Sequence, residues 1–137
     1  MEPYKHVVQY YETDKMGIVH HSNYIRWMEE ARVDLLRKIG WGYERLESEG
    51  LSSPVTAIEC KYRASAIFPD EVSVKVGVCE LKGAVVRFDY LMTAGGKTVF
   101  EGRSEHCFID GNGKIVRMNR AYPEFYERLR CEMEARD

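Results

Sequence analysis

Residues 11–32 read YETDKMGIVHHSNYIRWMEEAR. The stretch opens as the end of a strand, crosses a short polar run holding Asp14, His20 and His21, and closes in an amphipathic helix. Its spacing predicts a helix over 22–39. Tyr24, Trp27, Met28, Ala31 and Leu35 recur at i, i+3, i+4, i+7 and i+11, which is one apolar stripe. Arg26 with Glu30, and Asp34 with Lys38, set opposite charges one turn apart on the wet side. Ser22 or Asn23 can cap the start, and Gly40 suits the stop. Such a stripe needs a surface to bury it, and the rest of the chain has to supply that surface.

Upstream, residues 4–11 read as a strand. Downstream, residues 41–54 hold a short helical turn and then a loop. After that the period changes to two. In PVTAIECKYRA, residues 54–64, Thr56, Ile58, Cys60 and Tyr62 share one face. EVSVKVGVC at 71–79 alternates through Val72, Val74, Val76 and Val78, and AVVRFDYLMT at 84–93 through Val86, Phe88, Tyr90 and Met92. KTVFEGRSEHCFI follows Gly95-Gly96, a hairpin signal. DGNGK at 110–114 is a further turn, with a short strand at 115–118 beyond it. Pro123 opens a last helix, whose stripe is Tyr122, Phe125, Tyr126, Leu129 and Met133. The expectation is an α+β chain: an antiparallel sheet of five or six strands wrapped around one long helix, with a C-terminal helix. No linker or repeat divides it, so residues 1–137 read as one domain. Strand edges left open favour a homodimer or homotetramer.

Composition excludes several classes. With 137 residues, 45% apolar, the chain can build a thin core. A net charge of −2 gives no nucleic-acid surface. No run of 18 apolar residues exists, so no membrane span is expected, and the N-terminus lacks a signal-peptide core. Cys60, Cys79, Cys107 and Cys131 form no CxxC pair. They read as reduced thiols of a cytoplasmic protein.

The candidate chemistry sits in the opening stretch. Asp14 lies between a strand and a helix start. It can cap a turn, or it can attack a carbonyl or activate a water that does. The open N–H groups of a helix start can hold an oxygen that gains negative charge. Together these are the parts of acyl transfer or hydrolysis. Gly17 permits a sharp turn and close approach of a ligand to backbone. His20 and His21 point different ways if the segment is extended, so one can face the site while the other faces solvent or a partner subunit. Asp14, His20 and His21 lack the spacing and the further ligands of a metal site, and no metal or cofactor is expected. There is no GxSxG, GxGxxG or GxxxxGK[ST] motif. Ser104 and His106 share a strand face, but residues two apart on a strand are about 7 Å apart, too far for a ready bond.

With those residues in view, the chain resembles the hotdog-fold thioesterases, the 4-hydroxybenzoyl-CoA thioesterase family that includes the YbgC-like acyl-CoA thioesterases. The motif stands here as YETDKMGIVHHSNYIRW and aligns Asp14, Gly17, Val19, His21 and Tyr24. A second patch, KYRASAIFPDEVSVKV, keeps Tyr62 and Asp70 but carries Ser65 at the usual proline position. The resemblance implies hydrolysis of an acyl-CoA or acyl-carrier-protein thioester. It makes Asp14 the general base or nucleophile and the Tyr24 backbone N–H the group that polarises the carbonyl. His21 matches a histidine of the YbgC-like branch, which points to a non-aromatic acyl group. Lys61, Arg63 and Lys82 become candidates for contact with CoA. Two other readings stand beside this one. Hotdog hydratases carry D-x-N-P-[LIV]-H, against which Asp14 is followed by KMGIVH; a non-catalytic acyl- or partner-binding module would keep the cavity without needing Asp14.

Overall fold

A computed structural model describes residues 1–135. The chain runs β1 (Tyr4–Val7), a 3₁₀ turn (Tyr10–Glu12), α1 (Ser22–Lys38), α2 (Tyr43–Ser48), β2 (Val55–Tyr62), β3 (Glu71–Lys82), β4 (Val85–Ala94), β5 (Lys97–Cys107), α3 (Met118–Ala121) and α4 (Pro123–Ala135). The strands form one five-stranded sheet in the order β1-β3-β4-β5-β2. Every neighbouring pair is antiparallel. The long helix lies on β3 and β1, as its stripe requires. Tyr24, Trp27, Met28, Ala31 and Leu35 are all buried, together with Leu36.

The opposite wall of the core comes from the inward positions of the sheet. These are Val72, Val74 and Val78 on β3, Phe88, Tyr90 and Met92 on β4, and Phe100 on β5. The hairpin at Gly95 and Gly96 joins β4 to β5 with both residues at positive φ, 56° and 77°, where a side chain would be strained. At the far end, Phe125 and Leu129 of α4 are fully buried, and Phe125 stacks on Trp41 with centroids 4.7 Å apart. Among the described residues no helix is long and apolar enough to cross a membrane.

Four local expectations are corrected. The first strand ends at Val7, not 11, because the Glu12 carboxylate accepts the Gln9 N–H at 2.7 Å and winds the chain into the 3₁₀ turn. Residues 115–118 form no strand; Ile115 makes one isolated bridge to Ile109, and α3 begins at Met118. Neither Ser22 nor Asn23 caps α1, whose N-cap is His21 with no side-chain cap. Asn23 instead turns back to the Glu12 carbonyl at 2.8 Å. Asp34 and Lys38 pair as expected at 2.8 Å, but Glu30 accepts the Tyr4 hydroxyl at 2.6 Å and Arg26 folds onto Asn23 and Ser22.

The apolar face expected of β2 is also less covered than its alternation implies. Of that face only Cys60 is half-buried, while Ile58 and Tyr62 are 41% and 48% exposed. The reason is position: β2 closes the sheet on the side away from α1.

Gly102 marks the tightest approach in the sheet. A Cβ there would lie 2.7 Å from the Phe100 ring and 3.0 Å from the Glu59 carbonyl oxygen. Phe100 is fully buried and stacks on Tyr24, so neither neighbour can yield freely. Gly102→Ala is expected to destabilise the fold by about 1–3 kcal/mol through overpacking, read as a lower urea midpoint at unchanged m-value.

Candidate active site

The segment 13–19 is a closed loop. Thr13 and Val19 bridge in antiparallel fashion. Inside the bridge, the Asp14 N–H donates to the Ile18 carbonyl at 2.9 Å and the Gly17 N–H to the Asp14 carbonyl at 3.0 Å. Gly17 sits at φ 79°, which explains the glycine. Val19 is buried and donates its N–H to the Ala66 carbonyl at 2.9 Å, so it pegs the loop to the 63–70 segment. The Asp14 carboxylate is half-buried, and its Oδ1 accepts the Met16 N–H at 2.8 Å. It opens into a groove shared with Lys15, His20, Ser22 and Arg26. The opening turn of α1 therefore lies along the same groove as the carboxylate.

Glu12 anchors this loop from beneath. It is 5% exposed, and its Oε1 lies 2.8 Å from His6 Nε2 while its Oε2 accepts the Trp27 indole N–H at 3.0 Å. Burial pushes the Glu12 carboxyl up, but His6, the Gln9 N–H and Trp27 outweigh it and hold the group below the usual carboxylate range. A carboxylate only accepts, so His6 carries its proton on Nε2.

The two histidines do not point apart. Their rings lie 4.3 Å from each other, tilted by 33°. His20 Nδ1 is 2.9 Å from Ser22 Oγ, and it is His20 that lines the Asp14 groove. His21 presents its ring to the edge of Tyr62 at 6.2 Å. Tyr24 is buried in an aromatic cluster, stacked on Phe100 at 5.2 Å and edge-on to Trp27 and Tyr62. Its backbone N–H reaches the His21 carbonyl at 3.3 Å, a long bond that a more negative oxygen can displace.

Lys61, Arg63 and Lys82 stand elsewhere. Lys61 lies on β2 opposite Glu101, Arg63 pairs with Glu101 at 2.6 Å, and Lys82 pairs with Glu80 at 3.1 Å. None of them lines the groove, whose cations are Lys15 and Arg26. Sequence reasoning missed Glu12 and Arg26 as members of this region, and left open which of His20 and His21 faces it. The available signal for Glu12 was indirect: an indole and an imidazole in the same segment both need an acceptor.

Ser104 and His106 do meet, against the expectation of 7 Å spacing. Ser104 Oγ is 2.8 Å from His106 Nε2 because both side chains lean along the inward face of β5. The contact continues: Ser104 Oγ lies 2.6 Å from the Tyr90 hydroxyl, which accepts from Arg32 at 3.0 Å, and Arg32 Nε donates to the Tyr43 hydroxyl at 3.1 Å. Ser104 and His106 are 1% and 0% exposed, so no substrate reaches them. The pair is an internal strut, not a nucleophile and its base. Burial, with the Arg32 charge adding to it, pushes His106 down to about 4. Its Nδ1 lies toward the Ser53 backbone without closing a hydrogen bond.

A family model described as the thioesterase-like superfamily matches residues 8–129. A DHNA-CoA thioesterase from Staphylococcus aureus superposes with a TM-score of 0.90 at 31% identity, over 98% of this chain and 91% of that one. A hypothetical protein from Aquifex aeolicus superposes with a TM-score of 0.86 at 36% identity, over 92% and 97%. The acyl-CoA thioesterase YbgC of Haemophilus influenzae is 32% identical over 83 residues, covering 60% of this chain and 61% of its own length.

The strut sets a pH dependence of stability. His106 is held near 4 in the fold against about 6.5 when unfolded, so the folded form binds fewer protons between those values. Stability is therefore full above about pH 6.5 and falls as pH drops toward 4, by about 3 kcal/mol from this group. Urea unfolding at pH 7, 5.5 and 4.5 is expected to show that slope, and His106→Gln to flatten it.

Proposed function

The chain belongs to the thioesterase-like superfamily, and on that premise we propose that it hydrolyses acyl-CoA thioesters with Asp14 as the reacting carboxylate. The observation that carries this reading is the placement of the Asp14 carboxylate, held at Oδ1 by the Met16 N–H, in one groove with the opening turn of α1. The helix end contributes a partial positive charge, and its first N–H groups, held at rest by His20, would turn to a developing oxyanion. The Tyr24 N–H joins them by releasing the His21 carbonyl.

Asp14 acts by one of two routes. As a base it takes a proton from water while the water oxygen attacks the thioester carbon. As a nucleophile it attacks that carbon itself, and water then opens the mixed anhydride. In both, the C–S bond breaks, the sulfur leaves and takes up a proton as CoA thiol, and the free acid is the second product. No metal or cofactor enters either route. The same chemistry serves a carrier-protein thioester. His21, whose ring meets Tyr62, is assigned to the acyl side, and Gly17 and Val19 to the shape of the loop.

We take the chain as one domain acting in a homodimer or homotetramer. The bare edge of β2, with Val55, Ile58 and Tyr62 in the open, supports pairing with a second copy. Lys61 and Arg63 sit on or directly after that edge strand, so pairing carries them to the boundary between subunits, where CoA phosphates would find them. Lys82 is the third such candidate. We place the chain in a reducing cytoplasm, where Cys60, Cys79, Cys107 and Cys131 stay in the thiol form.

Two measurements check the proposal. Across an acyl-CoA panel, Asp14→Asn is expected to lower kcat by about 10²–10⁴ with the circular dichroism unchanged; wild-type turnover in the variant rejects the mechanism, and no hydrolysis of any thioester by the wild type favours a binding module. In sedimentation equilibrium, Ile58→Glu is expected to reduce a dimer or tetramer mass toward that of one chain.

A further inference from the structure

We propose that Glu12 is the positioning residue of the Asp14 site, acting through the loop it anchors and not on the substrate. The inference rests on the reading of Asp14 as the reacting carboxylate. Burying a carboxylate is unfavourable unless its oxygens are paired, and here each oxygen is. Oε1 accepts from the Gln9 N–H and from His6, and Oε2 from Trp27. The backbone carbonyl of the same residue accepts two further donors, the His20 N–H at 2.9 Å and the Asn23 amide at 2.8 Å.

The partners come from every element around the loop. His6 belongs to β1, Gln9 precedes the 3₁₀ turn, His20 is on the returning limb of the loop, and Asn23 and Trp27 are on successive turns of α1. Asp14 lies two residues after Glu12, just past the Thr13–Val19 bridge. The distance from its carboxylate to the open end of α1 is therefore set by one side chain and one carbonyl. A misplacement of about 1 Å in a reacting group costs on the order of 10² in rate, so the anchor acts on turnover while leaving most of the binding surface intact.

Glu12→Gln isolates this role. It keeps the shape, but an amide offers one acceptor and one donor, and Glu12 meets only donors on both oxygens. Either orientation sets donor against donor. His6→Ala, at a partly exposed position, removes one partner and leaves the carboxylate.

The experiment measures kcat and KM for one acyl-CoA with wild type, Glu12→Gln, His6→Ala and Asp14→Asn, alongside amide hydrogen exchange. Expected for Glu12→Gln is a fall in kcat of about 10–100-fold with KM within about two-fold, and faster exchange at the His20 amide while β4 and β5 stay protected. His6→Ala is expected to show the same pattern at about three- to ten-fold, and it carries the test if Glu12→Gln fails to fold. Wild-type kcat in Glu12→Gln beside an inactive Asp14→Asn overturns the proposal alone. So does a rise in KM at constant kcat, or activity that follows only the folded fraction in both variants. Wild-type turnover in Asp14→Asn removes the underlying reading, whatever Glu12→Gln does.

Discussion

Trp27 has no exposed surface, yet its indole carries an N–H that must be paired. Glu12 supplies the acceptor, and much of the local architecture follows from bringing a carboxylate there. The chain before it has to leave the sheet after Val7 and coil, so that the Gln9 N–H can close on the same carboxylate. The chain after it has to return, since the His20 N–H and Asn23 converge on the Glu12 carbonyl. Helix phase, loop closure and the end of the first strand are thus one solution to one buried polar contact. An apolar stripe by itself tolerates small rotations of a helix; a directional bond to an indole does not.

A second polar system holds the same helix further along. Arg32 reaches Tyr43 on α2 and Tyr90 on β4, and through Tyr90 it meets Ser104 and His106 on β5. Its charge is surrounded by phenol oxygens, and it adds to the burial that keeps the nearby imidazole neutral. Hydrophobic burial supplies the adhesion of α1 to the sheet, and the two polar systems, on different sides of the helix, set its register. Buried polar contacts of this kind are weak contributors to net stability and strong contributors to a unique arrangement.

Periodicity made the large elements legible. The stripe from Tyr24 to Leu35 could only be a helix, and the alternating valines from Val72 to Val78 could only be a strand with one wet face. The glycine pair at 95 and 96 marked its hairpin for a reason of backbone sterics. What escaped was whatever depended on a partner distant in sequence. A capture of the Gln9 N–H by Glu12 is invisible to alternation, so the first strand read too long. The Ser104–His106 contact was dismissed on Cα spacing, when side chains of a strand lean along it. Alternation in β2 carried no information on where α1 would stop covering the sheet. In the candidate site, Asp14, Gly17 and the helix start were readable as a unit, while the choice between His20 and His21 turned on a backbone course that no spacing rule reports.

The edge of β2 bears on how a single copy of the molecule behaves in solution. An uncovered strand with three β-branched residues and a tyrosine in the open is a template for any extended chain it meets, its own unfolded copies included. Glu59 and Lys61 on the same strand, with Arg63 directly after it, act as gatekeepers, because strangers rarely match their order of charge. Crowding and high concentration therefore raise the hazard of clumping at this edge, and dilution lowers it.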